Sequence, residues 1–274
     1  MMQHVLEMLS DACGPSFAPD TLFEGNRYLS NEKLRQWVAY LMLRRAGEVP
    51  GVPVGMIHME IVKDCIDKDQ VNALFAKARR THPHLDRWLS ERHVPHFDAD
   101  ALGHCPKGSF GKLVYENVVA RNFDLDMSGH LPNETDMDFW MLRGLQTHDL
   151  EHILGGSQFN IVGEMLPHTM RYGFSFRHLP VELAALLSTP LYLLTISHLV
   201  SAMLHTPGAF SEVFGRIQKG WQIGQESGPY FFARFEDYLE MPLEEARQAL
   251  GIRGVDDADT SAASQIVLKV PQAA

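Results

Sequence analysis

Cysteine is scarce in this chain. Its 274 residues include three, Cys13, Cys65 and Cys105, scattered and odd in number. That pattern rules against a disulfide framework and points to a reducing compartment. Basic runs are also missing, and the net charge is −10. A chain with that balance offers no electrostatic footprint for nucleic acid. It offers no attraction to anionic lipid either, so any membrane contact must be hydrophobic. The first twelve residues carry His4, Glu7 and Asp11 but no basic residue, and the first arginine is Arg27. Neither a secretory signal nor a mitochondrial presequence reads that way. A cytoplasmic, bacterial protein is the expectation, with peripheral contact on the inner membrane. Strand-like alternation and internal repeats are absent too, which leaves an all-α chain.

What is present is helical periodicity. Leu34, Trp37, Val38, Leu41 and Met42 mark one amphipathic helix ending near Gly47, and Pro50, Gly51 and Pro53 then predict a loop. Residues 69–80 and 83–92 read as two more helices, 93–111 as loop and 113–122 as helix. Residues 134–154 read as one continuous helix. Residues 181–204 are the most hydrophobic stretch, with Glu182 their sole formal charge. Pro190, His198 and five hydroxyls argue against a membrane span, so a buried central helix is expected. A second option is that this helix lines a pocket for a long apolar ligand. Residues 210–224 and the aromatic run 230–239 are predicted helical. Pro242 opens a last helix with Glu244 and Glu245 in its first turn. Together these predict a single-domain irregular helical bundle over residues 1–253, with residues 254–274 as a mobile tail.

The chemistry concentrates in His148-Asp149-Leu150-Glu151-His152. His148 and His152 are four apart, so a helix puts both imidazoles on one face. Met141 and Leu145 precede them on the same stripe, so the pair should point inward. Asp149 flanks them. Gly155 and Gly156 end the helix, and after eleven intervening residues the chain returns a carboxylate at Glu164. The set predicts a metal site of His148, Asp149, His152 and Glu164, because a cation offsets the cost of burying carboxylates. Two imidazoles with two carboxylates suit Zn²⁺, and the oxygen share admits Fe²⁺, Mn²⁺ or Mg²⁺. The competing view makes the histidines core residues bonded to backbone, with both carboxylates solvated.

This segment resembles the ubiquinone (coenzyme Q) biosynthesis protein 4 family. The signature is His-Asp-x-x-His, eleven residues of which the last is Gly, then Glu, here His148, Asp149, His152 and Gly163-Glu164. Arg143 five before His148, Gly108-Ser109-Phe110-Gly111 with Tyr115, Leu179-Pro180, Trp221 with Gly224, and 243–252 are also similar, so the likeness covers roughly 104–252. Two segments depart from it. Gly144-Leu145-Gln146 stands where the family has a Tyr-Arg-Glu run, and Pro167-His168-Thr169-Met170 where it often has a Lys-Trp-Phe-Glu-like run. The resemblance implies a metal-dependent oxidative decarboxylase, removing the C1 carboxyl group of a polyprenylated 4-hydroxybenzoate and placing a hydroxyl there. Asp149, Glu164 and Arg143 would then be catalytic. It also implies a polyprenylated aromatic lipid as partner, a homodimer, and contact with other ubiquinone-biosynthesis proteins. The alternative from another class is a lipid-binding scaffold with a structural metal.

Other readings fit less well. An HD-type phosphohydrolase needs further His and Asp ligands that do not stand out, and a zinc peptidase needs Glu where Asp149 stands. The histidine-rich stretch His82, His84, His93, His96 and His104 shares no helical face, so a solvated surface is expected there.

Overall fold

Local capping divides the chain before any packing does. Asn31, Asp67, Asp98 and Ser109 each accept a hydrogen bond from a backbone amide of the turn that follows them, and Thr135 and Asp138 form a reciprocal capping box. The computed structural model describes residues 27–45, 52–121 and 131–269. Among them lie α1 (Arg27–Ser30), α2 (Glu32–Leu43), α3 (Val52–Val62), α4 (Lys68–Arg79), α5 (Pro83–Glu91), α6 (Ala99–His104) and α7 (Phe110–Asn117). There follow α8 (Asp136–Gln146), α9 (His148–Gly155), α10 (Met165–His178), α11 (Val181–His205), α12 (Pro207–Glu226), α13 (Leu243–Ala249) and α14 (Ser261–Leu268). No β-strand occurs among the described residues, only an isolated bridge between Ser109 and Pro242. The fold is all-α and forms a single helical domain, as the periodicity predicts.

The apolar stretch expected at the centre is α11, and it joins three hydrophobic clusters. Leu183 and Ala184 belong to the main core, which includes Phe75, Trp88, Phe110, Trp140, Leu154 and Phe174. Leu194 packs with Leu34, Trp37, Leu41, Ile57 and Ile61 of α2 and α3. Ala202 packs with Val162, Met165, Val213, Ala263 and Val267. Three α11 hydroxyls, Thr189, Thr195 and Ser197, each donate to the carbonyl four residues back, and Ser201 donates to the Arg44 carbonyl at 2.8 Å. Another close contact is that of α10 with α12. A Cβ on Gly220 would lie 2.4 Å from the Leu166 carbonyl oxygen, and one on Gly224 2.1 Å from that of Met170. Only glycine lets the two backbones approach that closely.

Several expectations are corrected. The motif helix is not continuous. Thr147 (φ −97°, ψ −1°) separates α8 from α9, and its hydroxyl donates to the Arg143 carbonyl at 2.8 Å. The stretch 93–111 contains α6, capped by Asp98. Pro53 lies in the first turn of α3, where a missing amide costs nothing, rather than in a loop. The 113–122 helix is α7 followed by a 3₁₀ turn, and the 230–239 run is two 3₁₀ turns whose Tyr230, Phe231 and Phe235 are all buried. The expected mobile tail instead carries α14, because Ala263 and Val267 find an apolar groove beside Val162 and Met165. Most of residues 1–30, Pro50 and Gly51 lie outside the described residues.

His58 pins α11 from the side. It is fully buried, accepts from the Trp37 indole at Nδ1 (3.2 Å) and donates from Nε2 to the Pro190 carbonyl at 2.6 Å. Burial pulls its pKa down to about 4, against the partial support of the Pro190 hydrogen bond. The folded-state pKa lies below the unfolded value of 6.5, so unfolding takes up a proton between the two. Stability is therefore present above pH 6.5 and lost as pH falls towards about 4, by on the order of 3 kcal/mol from this group. Urea unfolding at pH 7 and pH 4 will show a steeper loss in the native protein than in a His58→Gln variant.

Candidate metal centre

Thr147 carries the backbone ladder from α8 into α9: its amide donates to the Arg143 carbonyl and its carbonyl accepts from the Glu151 amide, each at 2.9 Å. On α9 the His148 and His152 rings lie one turn apart, with centroids 4.9 Å apart and planes near perpendicular at 87°. The chain after α9 turns at Gly156, runs through 157–163 and enters α10 behind Glu164. Gly163 permits that return: a Cβ there would sit 1.9 Å from the Gln158 carbonyl oxygen. Glu164 then reaches across to both rings. His148 Nε2 is 3.0 Å from one carboxylate oxygen and His152 Nε2 is 3.3 Å from the other. Phe159 stacks on the His152 ring at 4.6 Å and holds its plane.

These three residues are the group among the described residues whose donor atoms converge as metal ligands do, all within 4.8 Å of one another. Asp149 flanks the triangle rather than entering it. It sits in the first turn of α9 and feels the charges of His148, His152 and Glu164. His152 is wholly buried, yet neither of its ring nitrogens has a hydrogen-bond partner. The 3.3 Å contact with Glu164 is an approach of charges without hydrogen-bond geometry. A buried imidazole with both nitrogens idle is costly unless something else binds it. A divalent cation between the two imidazoles and the carboxylate satisfies all three groups. The donor set fits the expected ion. Glu164, with 38% of its side chain exposed, lies at the open side, and His152 at the closed one.

Electrostatics agree with that geometry. Burial pushes the Glu164 carboxyl up, but His152 and His148 together hold it well below the usual range. Burial pushes His148 down, and the hydrogen bond and charge of Glu164 outweigh it, so His148 is raised. Without an ion the site therefore keeps a proton on the His148–Glu164 pair.

Sequence reading missed three neighbours. His168 is four residues after Glu164, repeating the 148/152 spacing, and its ring lies 5.3 Å from that of His148. Its Nδ1 is buried without a partner. Under the site, Glu151 of α9 and Arg171 of α10 form a buried ion pair, and Arg171 also lies over the Phe231 ring at 5.1 Å. A Cβ on Gly144 would come within 2.9 Å of an Arg171 guanidinium nitrogen. The departure at Gly144 thus makes room for Arg171, the residue immediately after the 167–170 departure. Arg143 is not beside Asp149. It is buried, donates to Gln146 and to Glu236 at 3.0 Å, and is thereby committed to the core. The histidines between 82 and 104 form no ligand cluster among the described residues.

The fold and centre define an all-α protein in which two consecutive helices and the loop between them bring together His148, His152 and Glu164, a group that could hold a metal ion. No protein-family model matches the chain, and no curated protein matches it. Among solved structures it is similar to a proposed ubiquinone-biosynthesis protein from Nostoc punctiforme, with a TM-score of 0.57 and 20% identity over 79% of this chain and 93% of that one. At that identity the likeness shows the fold alone.

Two outcomes follow from the geometry. Metal ligands bind deprotonated and His148 is shifted upward, so loading the site with Zn²⁺ will release protons, which calorimetry in buffers of different ionisation enthalpy will register. Affinity will fall as pH drops below the raised His148 value. Glu151→Gln leaves the buried Arg171 charge uncompensated, so unfolding free energy will drop by roughly 3–5 kcal/mol in denaturant titration.

Proposed function

We propose that this protein is a metal-dependent enzyme of ubiquinone biosynthesis, acting on a polyprenylated 4-hydroxybenzoate. The reaction would break the bond from ring carbon C1 to the carboxyl group, release carbon dioxide and form a bond from C1 to a hydroxyl whose oxygen comes from water, with release of two protons. That exchange removes two electrons from the substrate, so a two-electron acceptor takes part. The observation that carries the reading is the buried, unpartnered His152 imidazole facing Glu164 and His148. Two further facts support it: the motif resemblance across 104–252, and the helical fold shared with the Nostoc protein proposed for ubiquinone biosynthesis.

A bound divalent ion supplies Lewis acidity to the substrate carboxylate or phenolate. The residues of this chain do the placing. His148, His152 and Glu164 would hold the ion, with Phe159 fixing one ring. Asp149 lies at the flank, where burial pushes its carboxyl up and the charges of His148 and His152 pull it down. Glu164 marks the side from which a ring carboxylate enters. Arg143, expected beside the substrate, is instead occupied by Glu236, so its part is to hold α8 in place.

A second reading has its own observation. The outward side of α11 exposes Val181, Tyr192, Met203 and Leu204, between 48% and 66% each. An apolar strip of that kind suits a polyprenyl chain or a membrane surface and would serve a lipid-holding scaffold at the cytoplasmic face of the inner membrane.

Elemental analysis separates the cases. The native protein will carry about one metal equivalent, and the His148→Ala/His152→Ala variant none. The loaded protein with a prenylated 4-hydroxybenzoate and an electron acceptor will release carbon dioxide. Metal without turnover favours the scaffold. No metal, even after reconstitution with zinc, iron and manganese, sinks the catalytic reading.

A further inference from the structure

The segment after Ile252 reaches both pieces that carry the metal-site residues. At one end Asp257 pairs with the buried Arg247 at 2.7 and 3.0 Å. Arg247 in turn donates to the carbonyls of Ile153 and Leu154, each at 3.0 Å, at the end of the histidine helix α9. A helix leaves its last carbonyls without intrahelical partners, and a guanidinium there also complements the dipole. At the other end α14 is tied to the loop that delivers Glu164. Ser264 Oγ accepts from the Val162 amide at 3.2 Å and donates to Asn160 Oδ1 at 2.6 Å. That same Asn160 oxygen accepts from the Gly163 amide at 2.9 Å and lies 2.8 Å from the Thr260 hydroxyl. Gln158 Oε1 accepts from the Thr260 amide at 2.9 Å and the Ser261 hydroxyl at 3.1 Å. Ala263 and Val267 pack on Val162 and Met165, either side of Glu164.

The loop holds Glu164 only through turns of its own: the Glu164 amide donates to the Asn160 carbonyl at 3.0 Å, and the Ser157 hydroxyl donates to the Gly163 carbonyl at 2.6 Å. Its amides at Val162 and Gly163, the two residues before Glu164, are satisfied by Ser264 and by an Asn160 side chain that Ser264 holds. We infer that residues 254–268 form a clasp that positions Glu164 against His148 and His152, with Thr260 and Ser264 as the positioning residues. Docking of α14 and binding of the ion are then one linked equilibrium. Each strengthens the other by the same factor, as linkage requires. This rests on the metal reading above, and it goes beyond it by making a segment outside the family-like region part of the site.

The test uses the full-length protein and its Thr260→Val/Ser264→Ala variant, with Ile266→Ala, on the exposed face of α14, as control. Two quantities are read: amide exchange across 156–164, and Zn²⁺ affinity by chelator competition. The double variant will exchange faster at Val162 and Gly163 and bind Zn²⁺ about tenfold more weakly, the loss typical when a support of a ligand is removed. The control will match the native protein, and Zn²⁺ will slow exchange over 254–268 in the native protein. A folded double variant that binds Zn²⁺ as tightly as native overturns the clasp, even if its loop exchanges faster, because α14 is then merely packed. If the native protein binds no ion, the metal reading itself fails. Unchanged exchange in the double variant then overturns the clasp as well, and faster exchange leaves it as the support of the Glu164 loop alone.

Discussion

Imidazoles and carboxylates can be buried together only if each finds a compensating charge or hydrogen bond, and this constraint governs the centre of the molecule. His152 sits at zero exposure with both nitrogens unpartnered, and Glu164 is pulled from the next helix towards it. Everything around them serves that convergence. Thr147 carries the ladder of α8 into α9, Phe159 braces one ring, and Gly163 allows the chain to pass close enough to return the carboxylate. Nothing among the described residues bonds the His152 nitrogens, and the donor atoms of all three groups lie within 4.8 Å of one another.

Rigidity comes from elements remote from the site. Helix α11 joins the three apolar clusters, so α2 and α3 on one side and α14 on the other are fixed to one body. The glycines of α12 let α10 seat against it almost backbone to backbone, and α10 begins at the Glu164 ligand. A side chain at Gly220 or Gly224 would push α10 outward and carry Glu164 with it. The buried Glu151–Arg171 pair cross-links the same two helices directly beneath the imidazoles. Replacing one partner strands the other, which is why a site of this kind tolerates paired change better than single change.

That coupling explains the two departures from the family-like pattern. Gly144 and the stretch around His168 look unrelated in sequence, twenty-odd residues apart. In the fold Gly144 faces Arg171, Arg171 pairs with Glu151, and His168 lies over His148. The altered positions meet in one place, beside the site. His168 was visible in the sequence as a second four-residue interval, 164 to 168, but nothing local marked that interval as facing the first.

The sequence by itself determined the all-α class, the central apolar helix and the pairing of His148 with His152. These rest on periodicity within one segment, and helical geometry converts such spacing directly into a shared face. Only the tertiary structure decided which carboxylate stands between the imidazoles. It brought Glu164 to within 3.0 and 3.3 Å and left Asp149 at the flank, although Asp149 is adjacent to His148 in the chain. It also sent Arg143 to Glu236, and docked residues 261–268 where composition predicted a free tail. Those outcomes depend on contacts between segments up to about a hundred residues apart, such as Ser264 with Val162. Side-chain spacing carries no record of such contacts. They are fixed when apolar surfaces are buried together and each buried polar group must then find a partner among whatever lies nearby.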